Sequence, residues 1–150
     1  MKILKPKFYV KIKFKVPYCD IDKLGHVNNA TYLSYFESAR VAYFRNIPGL
    51  SLSEMDMQSA SGIIISEIGI KYLAPAYLDQ VIEVGLRISE VRTKGFRMEY
   101  EIRDRKTRAL LTTGHSIQVM FNYKKQKSYP ISKSLRGIFE SIEKRKFLPS

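Results

Sequence analysis

The chain has 150 residues, 45% of them hydrophobic, which suits one domain with a real core and argues against disorder. Its single cysteine excludes an internal disulfide, and with only two histidines a structural zinc site is not expected. Twenty-six Lys and Arg against 14 Asp and Glu give a net charge of +12, which favours anionic partners unless it is only a solvated surface.

No apolar run approaches the roughly 20 residues that span a bilayer. The start, Met1 to Pro6, lacks the apolar stretch of a secretory signal. A cytoplasmic protein with no membrane partner is therefore expected, organised as one domain over residues 1–150.

In chain order, residues 7–16 alternate. Phe8, Val10, Ile12, Phe14 and Val16 fall on one side, and Lys7, Tyr9, Lys11, Lys13 and Lys15 on the other. This predicts a strand with one buried and one wet face, ended by Pro17. The lysines read as a nucleic-acid stripe or, more plainly, as a solvated face that discourages edge-to-edge pairing.

The segment Tyr18 to Asn29 runs into a helix from about Ala30 to Ile47, stopped by Pro48-Gly49 and capped by Asn28 or Asn29. Leu33, Phe36, Arg40, Tyr43 or Phe44, and Ile47 make a stripe at helical spacing. Tyr32, Tyr35, Ala39 and Ala42 make much of the remaining surface apolar too. A helix apolar on most sides is wrapped by other structure.

Ser51 to Ser61 reads as a loop or short helical piece. Strands are predicted over Gly62–Leu73, Val81–Val91, Phe96–Arg103 and Ala109–Tyr123, with turns at Pro75 to Gln80, at Thr93-Lys94-Gly95 and at Asp104–Arg108. On the last strand Ile117, Val119, Phe121 and Tyr123 share a face. Lys124 to Ser128 is a basic loop. Ile131 to Phe147 is an amphipathic helix with Leu135, Ile138, Phe139 and Ile142 apolar. Short links between the later strands imply antiparallel neighbours. The fold class is α+β, an antiparallel sheet curled around one central helix.

The chemistry concentrates before that helix. Asp22 lies just upstream of a helix N-terminus, where free N–H groups and the positive dipole end gather. A carboxylate beside an oxyanion-binding helix end suits acyl hydrolysis.

The block Tyr18-x-Asp20-x-Asp22-x-x-Gly25-His26-Val27-Asn28-Asn29-x-x-Tyr32, continued by Tyr35-Phe36-Glu37-x-Ala39-Arg40, resembles the signature of the 4-hydroxybenzoyl-CoA thioesterase-like acyl-CoA thioesterases of the hotdog fold. Ile70-x-Tyr72-x-x-Pro75-Ala76 followed by Asp79 resembles that family's second strand and turn. The resemblance implies Asp22 as nucleophile or general base, His26 near the substrate, and the backbone N–H of about Asn29 as the carbonyl's polariser. Gly25, Val27, Asn28, Tyr32 and Glu37 become substrate-binding candidates. It further implies an acyl-CoA or acyl carrier protein thioester as substrate, no cofactor or metal, and a homodimer or homotetramer with the site between subunits.

Read without the resemblance, Asp22 suits a turn, Asn28 and Asn29 suit caps, and Glu37 pairs with Arg40 at i+3. Asp20 suits structural hydrogen bonds, Cys19 a small buried residue and His115 a structural place in its strand. Arg87, Arg92, Lys94, Arg97, Lys124 and Lys125 are candidates for coenzyme A phosphates. Two rivals remain: a non-catalytic acyl-CoA or fatty-acid binder on the same fold, and a basic nucleic-acid-binding domain. The latter lacks a helix-turn-helix, zinc-finger or RNP-like pattern. A hotdog dehydratase is disfavoured by the D-x-D-x-x-G-H arrangement.

Overall fold

The computed structural model describes residues 5–48 and 61–148. In chain order these form β1 (Val10–Lys15), a short 3-10 turn (Tyr18–Asp20), α1 (Thr31–Arg45), β2 (Ser61–Tyr72), β3 (Val81–Val91), β4 (Gly95–Asp104), β5 (Leu110–Asn122), β6 (Lys127–Ser128) and α2 (Lys133–Glu143). Every pairing is antiparallel, in the order β1-β3-β4-β5-β2, with β6 folding back on β5. A curved, open sheet around a long central helix, with a second helix at the C-terminal end, is the hotdog arrangement.

Helix α1 buries one broad face against the sheet and leaves Leu33, Ser34, Glu37 and Ser38 exposed on the other, so it is covered on one side and not wrapped on all. Tyr32, Tyr35, Phe36, Ala39, Tyr43 and Phe44 are all buried. The seam differs from the expected stripe at one position: Leu33 is 38% exposed, and Tyr32 and Tyr35 take the inward places. Inner strand residues Ile82, Val84, Leu86, Ile88, Phe96, Met98 and Ile102 complete the core. Phe36 stacks on Tyr100 with ring centroids 4.3 Å apart, over Gly114, where any Cβ would strike the Phe36 ring. A glycine there lets helix and sheet approach closely.

The helix-facing side of β5 is polar. Thr112, Ser116 and Gln118 are buried there. Arg40 Nη1 donates to the Tyr100 hydroxyl at 3.2 Å, Tyr100 and Ser116 share a hydrogen bond of 2.6 Å, and Gln118 Nε2 donates to Ser116 Oγ at 2.7 Å. This chain of bonds satisfies Tyr100, Ser116 and the Gln118 amide nitrogen, whereas Thr112 Oγ1 and Gln118 Oε1 are buried without a hydrogen-bond partner among the described residues. Ile117, Val119, Phe121 and Tyr123 do share a face, but it is the opposite, half-exposed one.

Several elements depart from the sequence reading. Strand β1 begins at Val10, because Phe8 crosses to the outer face, packs over Gly85 and sits beneath the Arg87 guanidinium at 5.7 Å. The Lys124–Ser128 loop is a hairpin that adds the two-residue β6. Helix α2 stops at Glu143, with Lys144 in the left-handed region at φ 53°. The loop or short helical piece expected over Ser51 to Ser61 lies outside the described residues, apart from Ser61, which opens β2. Strands β2 and β3 are not neighbours despite their short link. The sheet curls enough for residues 73–80, reaching at most about 28 Å when extended, to pass from one side to the other.

Helix α2 is fastened by a buried acid that its amphipathic pattern did not single out. Glu143 Oε1 accepts from the Tyr43 hydroxyl at 2.7 Å and from the Ile88 N–H at 2.8 Å. Burial raises the Glu143 pKa above its ordinary 4.5, against the lowering effect of those two bonds. It also raises the Tyr43 hydroxyl, as does the adjacent Glu143 charge. A carboxyl raised in the folded state favours folding most below its unfolded pKa, and that contribution is lost as pH rises through the folded pKa. Glu143→Gln keeps the acceptor and removes the charge. Its stability relative to wild type, from urea unfolding at pH 5 and pH 8, is therefore expected to improve at the higher pH. Glu143→Ala orphans two buried donors at roughly 1–3 kcal/mol each and destabilises at both.

Candidate active site

The loop before α1 is a pinched turn. Ile21 and Val27 form an isolated antiparallel bridge. Between them the Asp22 N–H donates to the His26 carbonyl at 3.1 Å and the Gly25 N–H to the Asp22 carbonyl at 3.0 Å. Asp22 Oδ1 accepts the Leu24 N–H at 2.8 Å, while Oδ2 has no hydrogen-bond partner among the described residues. Gly25 closes the turn at φ +85°, a conformation that side chains disfavour. His26 is half-buried, and its Nδ1 lies 3.2 Å from the Val27 carbonyl. With Nδ1 donating to that oxygen, Nε2 of the neutral ring remains an acceptor.

The same loop is anchored from beneath. The Asn28 N–H donates to the Asp20 carbonyl at 2.9 Å, and Asp20 Oδ2 accepts the Tyr35 hydroxyl at 2.6 Å. Burial, followed by that carboxylate, holds the Tyr35 hydroxyl well above the ordinary tyrosine range. Asp20 is thus committed to structural bonds. Cys19 is exposed, not buried, since the short 3-10 turn carries its side chain outward; its Sγ lies 3.7 Å from Asp20 Oδ1.

At the helix entrance Asn28 Oδ1 accepts the Ala30 N–H at 2.9 Å and its carbonyl accepts the Thr31 N–H at 3.0 Å. The N-cap of α1 is Ala30, with no side-chain cap, so neither Asn28 nor Asn29 caps the helix as expected. Asn28 instead closes the turn ahead of Thr31, because the regular helix starts later than the sequence indicates. The Asn29 carbonyl accepts the Tyr72 hydroxyl at 2.6 Å. The Asn29 N–H has no partner among the described residues.

His26, Val27, Asn29 and Tyr32 line one cavity of about 260 Å³, closed by Tyr72 and the 73–75 stretch. The link after β2 forms its floor: the Val27 N–H donates to the Ala76 carbonyl at 2.8 Å, and the Ala76 N–H donates to the Tyr32 hydroxyl at 3.3 Å. Asp22, Gly25, Asn28 and Glu37 do not line this cavity. Glu37 is exposed on α1 and forms no ion pair with Arg40, whose guanidinium turns inward to Tyr100. Tyr72 was not singled out from the sequence as a site residue. Its place in the Ile70-x-Tyr72-x-x-Pro75 block was the available signal.

The cation candidates lie elsewhere. Arg87 and Arg97 are on the outer face with Glu99, and Arg92 pairs with Glu90. Lys94, Lys124 and Lys125 sit on hairpins at the end of the sheet opposite Tyr72, about 35 Å away along β2. His115 Nε2 lies 2.7 Å from Glu67 Oε1, also apart from the cavity. A wider groove of about 950 Å³ on the outer face, lined in part by Arg97, Glu99, Arg103 and His115, does not reach the loop. Among the described residues no group of three or more His, Cys, Asp or Glu is placed to hold a metal, and no helix is long and apolar enough to cross a membrane.

Comparison with known proteins gives a concordant result. The model of the family described as the thioesterase-like superfamily matches residues 16–139. The chain is 26% identical over 129 residues to the acyl-CoA thioesterase YbgC of Haemophilus influenzae, covering 86% of this chain and 93% of that protein. It is 32% identical over 79 residues to the chloroplastic acyl-acyl carrier protein thioesterase ATL3 of Arabidopsis thaliana, covering 53% and 40% respectively. A Thermus thermophilus thioesterase solved with coenzyme A and Zn superposes with TM-score 0.80 at 27% identity, over 93% of this chain and 98% of that one.

The geometry of the turn yields a direct test. An added Cβ at Gly25 meets nothing within 4 Å, so only the backbone opposes a side chain. Gly25→Ala is expected to lose about 1–2 kcal/mol in urea unfolding. Gly25→Asn is expected to lose less, since Asn tolerates positive φ.

Proposed function

The chain belongs to the thioesterase-like superfamily, and on that premise we propose that it hydrolyses an acyl thioester to the free acid and the thiol. The observation that carries this reading is the Asn29 N–H, without a partner among the described residues, on the wall of an apolar cavity at the positive end of α1. As the carbonyl is attacked, negative charge grows on its oxygen, and a fixed N–H with a helix N-terminus behind it stabilises that charge.

Asp22 supplies the other half of the reaction. Its Oδ1 is tethered in the turn, which orients the carboxylate, and Oδ2 is left to act. Either that oxygen attacks the carbonyl and water then cleaves the anhydride, or it takes the proton from an attacking water. In both routes the C–S bond breaks, sulfur leaves as thiolate and is protonated, and one water is consumed. His26, on the same cavity, orients the water or the departing sulfur through Nε2. Val27 and Tyr32 form the apolar wall, Gly25 and Asn28 shape the loop, and Glu37 approaches substrate only across a subunit boundary. No cofactor or metal enters these steps, and the described residues act as one hotdog domain. Coenzyme A and acyl carrier protein remain alternative carriers.

The cavity of one chain is below the roughly 300–1,000 Å³ of ordinary ligand pockets, which fits a site shared between copies. Strand β2 ends the sheet with Ile65, Ile68 and Tyr72 exposed, whereas the other edge, β1, carries Lys11, Lys13 and Lys15. The first invites pairing and the second resists it. Two copies joined antiparallel along β2 set the partner's β5–β6 hairpin beside this cavity, so that Lys124 and Lys125 serve the phosphates of a coenzyme. Ile68→Lys is expected to convert dimers to monomers in sedimentation velocity and to reduce thioester turnover with them.

One observation favours the rival reading of a non-catalytic acyl-CoA binder: Asp22 serves its turn and stands outside the cavity of the single chain. Release of free thiol from a panel of acyl-CoAs decides between them. Turnover by wild type that falls roughly a hundredfold or more in Asp22→Asn is the expected result. A folded wild type that binds acyl-CoA without turnover makes the binder the function. Single-turnover hydrolysis in oxygen-18 water separates the two catalytic routes, since only the anhydride route labels the Asp22 carboxylate.

A further inference from the structure

We infer that Tyr72 is a positioning residue for this hydrolysis, holding the Asn29 backbone so that its N–H presents to the thioester oxygen. The inference rests on the reading of the Asn29 N–H as the polarising donor. Two peptide groups flank the Asn29 Cα, and together they carry four polar ends. The Asn28 carbonyl is held by the Thr31 N–H at 3.0 Å, the Ala30 N–H by Asn28 Oδ1 at 2.9 Å, and the Asn29 carbonyl by the Tyr72 hydroxyl at 2.6 Å. Only the Asn29 N–H remains unengaged among the described residues.

Of the three restraints, two are local to the loop and its helix. The third comes from another part of the fold. The Asn29 carbonyl has no helical N–H partner, because regular α1 bonding begins further on, so the Tyr72 hydroxyl takes that place. Tyr72 stands at the end of β2, packs edge-on against Tyr32 at 5.3 Å, and lines the same cavity as His26 and Asn29. Without its hydroxyl the Asn29–Ala30 peptide is held at its N–H end alone, and its rotation about the shared Asn29 Cα tilts the adjoining Asn28–Asn29 peptide that carries the donor. A donor in a site of this kind is effective only while it needs no reorganisation during reaction.

Tyr72→Phe keeps the ring and its contact with Tyr32 and deletes the hydroxyl. The expected result is a kcat lower by roughly ten- to a hundredfold, part of the 10²–10³ that a lost oxyanion donor costs, with KM within about twofold and an unchanged melting temperature. A second readout is independent of turnover: the carbonyl stretch of a bound non-hydrolysable acyl-CoA ketone, in which CH₂ replaces the sulfur. In wild type it shifts to lower frequency than in water, and in Tyr72→Phe that shift shrinks. Wild-type shift and turnover with an unaltered Tyr72→Phe overturn the positioning role alone, as does a rise in KM at constant kcat. A wild type that leaves the ketone frequency at its value in water overturns the Asn29 reading and this inference together.

Discussion

The burial of α1 governs the architecture. Six of its fifteen residues are buried, four of them Tyr or Phe besides Tyr32 and Ala39, and each aromatic removed from water is worth about 1.5–3 kcal/mol. The sheet curves over that buried face, and the link after β2 crosses the helix entrance to reach β3. That crossing brings Ala76 under Val27 and Tyr32, and it leaves Tyr72 facing Asn29. The cavity and its exposed donor are thus consequences of how the sheet encloses the helix.

Much of this was legible because the relevant signals are local. Strand β3 occupies Val81–Val91 as its alternation indicates, and the D-x-D-x-x-G-H block does form a turn feeding a helix N-terminus. Long-range facts were not legible. Periodicity says which residues share a face but not which face is inward. On β5 the helix side holds Thr112, Ser116 and Gln118, a polar row that Tyr100 and Arg40 serve only through Ser116 and the Gln118 amide nitrogen. Glu143 read as one charge on a polar helix face, since nothing local announces Tyr43, 100 residues earlier. Phe8 keeps the parity of Val10 in sequence, but the chain leaves the ladder before it and the side chain goes to the outer face. Tyr72 was visible as part of a pattern, whereas its hydroxyl's partner depends on the curl of the sheet.

The charge resolves in a similar way. Much of the arginine is engaged on the outer face: Arg103 with Glu101, Arg108 with Glu83, Arg87 with Glu99. Lys11, one of the three cations of the β1 stripe, also reaches Glu83 at 3.3 Å. Paired cations contribute less long-range field than their number suggests, and a stripe on a sheet edge has a sufficient explanation in preventing unwanted pairing. The lysines of the β5–β6 hairpin form no ion pair among the described residues, which leaves them more of their field for an anionic ligand.

The two sheet edges therefore carry different instructions, and the site connects to only one of them. Tyr72 is both an exposed residue of the β2 edge and the donor that holds the Asn29 carbonyl. Any contact that orders the end of β2 also orders the Asn29–Ala30 peptide, which shares the Asn29 Cα with the peptide group carrying the proposed polarising N–H. A second copy along that edge would supply more than wall area: it would fix the strand end from which the loop is held. In a fold whose site is built from one turn, one helix end and one strand end, assembly and preorganisation act on the same hydroxyl.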